Sequence, residues 1–230
     1  MARGIFVAGT DTEIGKTLAA AALLRCFGAM GLRSCGMKPV TAGAERREGC
    51  WRSADGDVLA SASSMEAPME LRTPYILTRA VSPHLAAAHD GARVDLLHIA
   101  RCYAALAERA DLIVVEGTGG WHAPLSFDLT MADLARALRL PVVLVVGIRL
   151  GCLSHALLTA RAIRDAGLTL SGWLANRGIA SLPEAADNIA FLDRRLGAPR
   201  LGDIPFVADP VEAAAHLDAL QVRRTFVAPL

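Results

Sequence analysis

Lysine is nearly absent from this chain of 230 residues, which carries Lys16 and Lys38 against 22 arginines. Charge of one sign is not in excess: 24 Lys+Arg stand against 23 Asp+Glu, a formal net charge of +1. That balance excludes a strongly basic nucleic-acid binder and an acidic solvating tail. No apolar run approaches the roughly 20 residues of a spanning helix; the longest lies around Pro141–Ile148. Membrane association is therefore not expected. The five cysteines, at 26, 35, 50, 102 and 152, form no CxxC pair and no Cys/His set with zinc spacing. An odd number in a chain this large fits reduced thiols in the cytoplasm. The N-terminal stretch Met1–Gly9 is too short in its apolar part for a secretion signal and reads as a first strand. Repeats and low-complexity linkers are missing as well. With 53% hydrophobic and 20% charged residues, the chain is not disordered. A single domain over residues 1–230 is expected, burying roughly 70–75% of its unfolded surface.

What is present alternates short apolar runs with longer helical stretches. Strands are predicted at Gly4–Ala8, Ser34–Met37, Asp111–Glu116, Pro141–Val146, Leu170–Ala175 and Leu201–Pro205. Most are bare apolar runs, as strands buried on both faces require. Helical spacing marks Lys16–Met30, Leu96–Arg109, Met131–Leu138, Cys152–Asp165 and Glu184–Leu196. Repeated β-then-α units predict an α/β fold, a mostly parallel sheet with helices on both faces. Ala44–Thr73 is the least regular stretch and reads as a surface insertion with one short helix. In such sheets ligands bind at the carboxyl ends of the strands.

The informative residues follow strands. After the first comes Gly9-Thr10-Asp11-Thr12-Glu13-Ile14-Gly15-Lys16-Thr17 and then a helix. Such a loop turns backbone N–H groups toward a phosphate, and the helix N-terminus adds its positive end. Lys16 is placed to reach the β- and γ-phosphates of a nucleotide and Thr17 to ligate Mg²⁺. The general pattern G-x4-G-K-[ST] is missed by one position, because Thr10 stands where glycine is usual. Asp11 and Glu13 put two carboxylates beside the phosphates, repulsive unless turned away or matched by a cation. Lys38 ends the second strand in Gly36-Met37-Lys38-Pro39-Val40-Thr41-Ala42-Gly43. In a chain that otherwise uses arginine, a lysine there suits neutralising a transferring phosphoryl group. Leu112–Val115 then Glu116, followed by Gly117-Thr118-Gly119-Gly120-Trp121, has the form of a Walker B carboxylate ending a buried strand. Asp55 or Asp57 would complete a metal shell, and spacing does not decide between them. The six histidines lack ligand spacing, and Trp51, Trp121 and Trp173 read as packing residues, with Trp121 a candidate for the pocket wall.

Together GTDTEIGKT (9–17), Lys38-Pro39-Val40, VEGTGGW (115–121) with Pro124-Leu125, VVGIRLGC (145–152), LTLSGWLAN (168–176) and LGDIP (201–205) closely resemble dethiobiotin synthetase, over nearly the whole chain. The resemblance implies a homodimeric phosphate-loop (P-loop NTPase) ligase of biotin synthesis that joins diaminopelargonic acid and CO₂ at the expense of MgATP. It implies Lys16, Lys38 and Thr12 as catalytic residues. The metal ligands would be Thr17, Asp57 and Glu116, a match that favours Asp57 over Asp55. Nucleotide contacts would come from Glu13, Ile14, Gly15, Lys16, Thr17, Asp57 and Glu116, from Gly117, Thr118 and Gly119, from Asn176 (adenine) with Arg177, and from a late loop with Pro205, Phe206, Val207 and Glu212. Substrate contacts would come from Thr12, Lys38, Thr41 and Ala42. Gly151, Cys152, Leu153 and Ser154 would receive the substrate carboxylate at a helix start across the dimer interface. Two departures stand out. Ala42 replaces a serine, with Thr41 as the candidate substitute hydroxyl. Ser154 replaces an asparagine and is expected to keep a capping side chain. Partition and septum-positioning ATPases carry a second lysine early in the loop, where this chain has Asp11. A synthetase of the same type with another substrate is the other alternative.

Overall fold

The computed structural model describes residues 3–178 and 180–227, so the extremes of the 1–230 span fall outside the described residues. Six strands form the central sheet: β1 (Arg3–Gly9), β2 (Ser34–Met37), β7 (Leu112–Glu116), β8 (Val142–Gly147), β9 (Leu170–Asn176) and β10 (Arg200–Ile204). Between them run two small pairs. One joins β3 (Val40–Ala42) to β6 (Tyr75–Leu77) in parallel; the other joins β4 (Glu45–Arg47) to β5 (Cys50–Arg52) as a hairpin. The helices are α1 (Lys16–Ala29), α2 (Ala54–Ala62), α3 (Met69–Arg72), α4 (Pro83–His89), α5 (Leu96–Ala107), α6 (Met131–Leu138), α7 (Cys152–Asp165), α8 (Ala185–Arg195), α9 (Pro210–Ala215) and α10 (Ala219–Phe226).

The central sheet runs β10-β9-β8-β1-β7-β2, and every pairing in it is parallel. All six predicted strands appear within a residue or two of their predicted ends, as do the five predicted helices. Alternation along β1 divides the core. Phe6 and Ala8 pack with residues of α5, α6 and α7, whereas Ile5 and Val7 pack with α1. Ala19–Ala22 of α1 are fully buried, and their small side chains let the helix lie close on the sheet. β7 and β8 are buried at every position, which is why their sequences are unbroken apolar runs.

The stretch read as an irregular insertion is more ordered than its composition suggests. It holds the β4–β5 hairpin, α2 and α3, and α2 packs on α1 and β2. Trp51 departs from its predicted packing role: it lies on the hairpin, 45% exposed, while Trp121 and Trp173 are buried. No helix among the described residues is long and apolar enough to cross a membrane.

Candidate nucleotide and phosphoryl-transfer site

The functional side chains gather at the carboxyl edge of the sheet, where β1 lies between β7 and β8. The loop after β1 is tied to its neighbour at once, Thr10 N–H donating to Val145 O at 3.2 Å. Gly15, the N-cap of α1, has φ of +83°, and a Cβ there would fall 2.0 Å from Asn176 Nδ2. Only glycine meets both demands. Glu13 takes the left-handed region with a side chain (φ +54°), a costly conformation of the kind that clusters at functional sites.

A cleft of about 770 Å³ opens along this edge. Thr12, Glu13, Ile14, Gly15, Lys16 and Thr17 form its phosphate-loop wall; Lys38, Ala42, Glu116, Thr118 and Gly119 also face it. Four charged groups converge there. Lys38 Nζ lies 2.6 Å from Glu116 Oε1 and 2.7 Å from Asp55 Oδ2, and donates more weakly to Gly117 O at 3.4 Å. The Thr17 hydroxyl donates to Glu116 Oε1 at 2.7 Å. Lys16 Nζ donates to Asp11 O at 2.7 Å. Lys16, Lys38 and Glu116 are each less than a tenth exposed, so these are low-dielectric interactions.

The burial has consequences for protonation. Desolvation, with Lys38 beside it, lowers Lys16 to about 8. Burial also pulls Lys38 down, but Glu116 and Asp55 outweigh it and hold the ammonium above its ordinary value. Burial raises the Glu116 carboxyl, and Asp55 adds to that against the pull of Lys38. Asp55 is pushed up by burial but brought below its usual value by the charge of Lys38 and by hydrogen bonds from Lys38 and Thr17.

Asp55, not the expected Asp57, is therefore the carboxylate that α2 turns toward Lys38 and the cleft. Asp57 instead pairs with Arg52 at 2.7 Å. Both lie in the first turn of α2, and two residues there point about 200° apart on a 3.6-residue helix, so one carboxylate alone can face Lys38. A signal was present in the sequence: 55, 59 and 62 are spaced i, i+4, i+7, and Leu59 and Ala62 are buried. The orientation is set by Ser53, whose hydroxyl accepts from Gly56 N–H as the N-cap.

Thr41 does not face the cleft. Strand alternation turns Ala42 into it and Thr41 away, where the buried Thr41 Oγ1 accepts from Ser53 Oγ at 2.9 Å. The hydroxyl missing at Ala42 is therefore not replaced by Thr41; Ser82, exposed at the start of α4, brings a hydroxyl to the same cleft and was not anticipated.

The thiol and acid inventory also bears on a metal. No group of three or more His, Cys, Asp or Glu side chains is arranged to hold a metal among the described residues. The donor set that does exist, the Thr17 hydroxyl with the Asp55 and Glu116 carboxylates, consists of hard oxygens. Glu116 Oε2 is buried with no hydrogen-bond partner. A magnesium ion, which keeps waters and phosphate oxygens beside one or two carboxylates, fits this set.

A second cleft, about 490 Å³, lies beyond the loop and is lined by Arg177, Gly178, Ala180, Leu182, Pro205 and Phe206 among others. Phe206 is 87% exposed there. Asn176 is buried and links the two clefts: its Nδ2 donates to Ile14 O and its Oδ1 accepts from Gly178 N–H, each at 2.9 Å. These two bonds leave one amide proton and one lone pair of the side chain unused. The Arg177 guanidinium is engaged by Asp203. Val207 packs on the α1 face of the core and Glu212 sits exposed in the first turn of α9; neither lines this cleft.

Gly151, Cys152, Leu153 and Ser154 do not line the chain's own cleft. They begin α7, with Gly151 (φ +92°) as N-cap and no side-chain cap. Ser154 thus falls in the third helical position, past the place where a hydroxyl caps, and its predicted capping role is not met. Cys152 is buried, and Leu150, two residues earlier, is 91% exposed.

The sequence matches the family described as an AAA domain over residues 3–214. It is 50% identical over 214 residues to an ATP-dependent dethiobiotin synthetase of Janthinobacterium sp. (strain Marseille), covering 91% of each chain. Among solved structures, the fold is similar to the cell division ATPase MinD of Pyrococcus furiosus, with TM-score 0.58 and 19% identity over 97% of this chain and 99% of that one. The MinC:MinD complex of Aquifex aeolicus gives TM-score 0.60 and 13% identity over 100% and 98%. These likenesses place the sheet and its phosphate loop among the P-loop NTPases, and with the site they show that the chain belongs to the ATP-dependent dethiobiotin synthetase family.

Proposed function

We propose that this chain closes the ureido ring of dethiobiotin from diaminopelargonic acid, CO₂ and ATP, releasing ADP and phosphate, as a cytoplasmic homodimer. The observation that carries this reading is the convergence of Lys16, Lys38, Asp55, Glu116 and Thr17 on one cleft. One substrate amine adds to CO₂ and loses a proton, giving a carbamate. A carbamate oxygen takes the γ-phosphoryl group of ATP, forming the C–O–P link of a mixed anhydride and freeing ADP. The second amine then attacks the carbamoyl carbon, the C–O bond breaks, and phosphate leaves.

The residues suit each need. The carbamate is a poor acylating agent until phosphorylated, and negative charge accumulates on the transferring group. Lys16 and Lys38 are preorganised cations aimed at that charge in a buried site, where they act most strongly. Thr12 and Glu13 on the cleft wall suit the amines, since a carboxylate beside two amines is favourable electrostatics. Mg²⁺ held by Thr17, Asp55 and Glu116 would neutralise phosphate charge. The α7 start, with exposed Leu150 two residues before it, supports its role as the carboxylate receiver of a second copy's site, because the positive end of a helix suits an anion.

Reaction in ¹⁸O-labelled bicarbonate tests the mechanism. The anhydride route carries one label from CO₂ into the released phosphate. Unlabelled phosphate at early times, alongside labelled dethiobiotin, refutes it.

A further inference from the structure

A carboxylate in a phosphate-binding loop repels its ligand unless something offsets it, and the structure supplies the offset from 138 residues away. Asp11 Oδ2 is ion-paired with Arg149 Nη2, on the loop between β8 and α7. Its Oδ1 accepts from Thr12 N–H at 2.8 Å, and its carbonyl takes the Lys16 ammonium at 2.7 Å. An ammonium has three donors, so Lys16 keeps two for phosphate oxygens while Asp11 holds the third. Arg149 is itself well fixed. Its carbonyl accepts from Cys152 N–H at 3.0 Å, and the preceding Ile148, fully buried, donates its N–H to Asn176 O at 2.8 Å. On the other side Gly120 packs against the Asp11 backbone.

We infer that Arg149 is a positioning residue of the phosphate site. It cancels the Asp11 charge toward the nucleotide and fixes the carbonyl on which Lys16 is aimed. The pair is 38% and 46% exposed, so its contribution to stability is small and its effect is to be read in binding. The inference rests on ATP occupying this loop and not on the identity of the amine substrate.

The test is the MgATP dissociation constant, by calorimetry without the diamine, for wild type, Arg149→Gln, Arg149→Lys, Asp11→Asn and the double variant Asp11→Asn/Arg149→Gln. Arg149→Gln exposes the Asp11 carboxylate and is expected to weaken MgATP binding about tenfold or more at low salt, less at high salt as screening grows. Arg149→Lys recovers most of the loss. Asp11→Asn binds MgATP at least as tightly as wild type, and adding it to Arg149→Gln restores affinity. A structural pair that did not act through charge would give neither the salt dependence nor the rescue. Affinity of Arg149→Gln within twofold of wild type overturns the inference. So does a double variant no better than Arg149→Gln, which would mean that Arg149 contacts the nucleotide itself. A protein that binds MgATP in this order yet makes no dethiobiotin would refute the proposed reaction and leave this inference standing.

Discussion

Lys38→Ala is the most informative single change. The side chain sits between Glu116 and Asp55, at 2.6 and 2.7 Å, and is 3% exposed. Its removal leaves two carboxylates facing each other with Lys16 as the nearest cation. Breaking a buried ion pair costs about 3–5 kcal/mol when the remaining charge stays ionised. Glu116 is already pushed toward its neutral form by burial, so it takes up a proton instead and the stability loss falls below that range. Catalysis has no such escape. Losing one preorganised charge at a reacting centre typically costs 10²–10³ in kcat, about 2.7–4 kcal/mol. Steady-state phosphate release should therefore drop by about that factor, while the MgADP dissociation constant moves by less than tenfold, because Lys16 and the loop backbone remain. Above the pH at which Glu116 keeps that proton, two carboxylates without their internal counterion also bind a divalent cation more tightly. The variant should thus be slower and yet need less Mg²⁺ to reach half-stabilisation in thermal unfolding. Turnover within tenfold of wild type, or an unchanged Mg²⁺ response, removes Lys38 from this role.

Two further predictions follow from the same cluster. Asp55→Asn should raise the Mg²⁺ needed for half-maximal activity by about tenfold or more, as loss of a carboxylate at the metal does, whereas Asp57→Asn, which disturbs only the surface arginines Arg52 and Arg47, should leave the titration in place; the reverse pattern would favour Asp57 as the ligand. The second prediction concerns pH. Lys16 gives up its proton near pH 8 in the folded chain and near 10.5 in the unfolded one, so below pH 8 the folded state bears the full cost of the charge. That cost is relieved as pH rises from about 8 to 10.5, by about 3 kcal/mol at most. Phosphate binding needs the charged form, so MgATP affinity should fall above about pH 8, with proton uptake on binding visible by calorimetry in buffers of different ionisation enthalpy. Affinity that stays flat to pH 9.5 would contradict the shift.

The parallel sheet was legible because strands such as β7 and β8 are buried on both faces and read as unbroken apolar runs. The three-residue strands were not. Val40 pairs with Tyr75, and a pairing of that length has no periodicity to detect. The phosphate loop, Lys38 and Glu116 announced themselves because glycine, lysine and a terminal acid after an apolar run have few other uses. Asp55 was harder, since two acids two residues apart differ only in the face of a helix they occupy, and that face is fixed by packing of Leu59 and Ala62. Arg149 was invisible: one of 22 arginines, it is distinguished only by its meeting with Asp11. Thr41 and Ala42 looked interchangeable until strand alternation separated them.

Ring closure is decided by phosphate release from the pure protein with MgATP and bicarbonate, with and without diaminopelargonic acid, and by the mass of the organic product. Release should require the diamine and match dethiobiotin formed one for one. Steady release without the diamine, or diamine-dependent release with no dethiobiotin, would contradict ring closure.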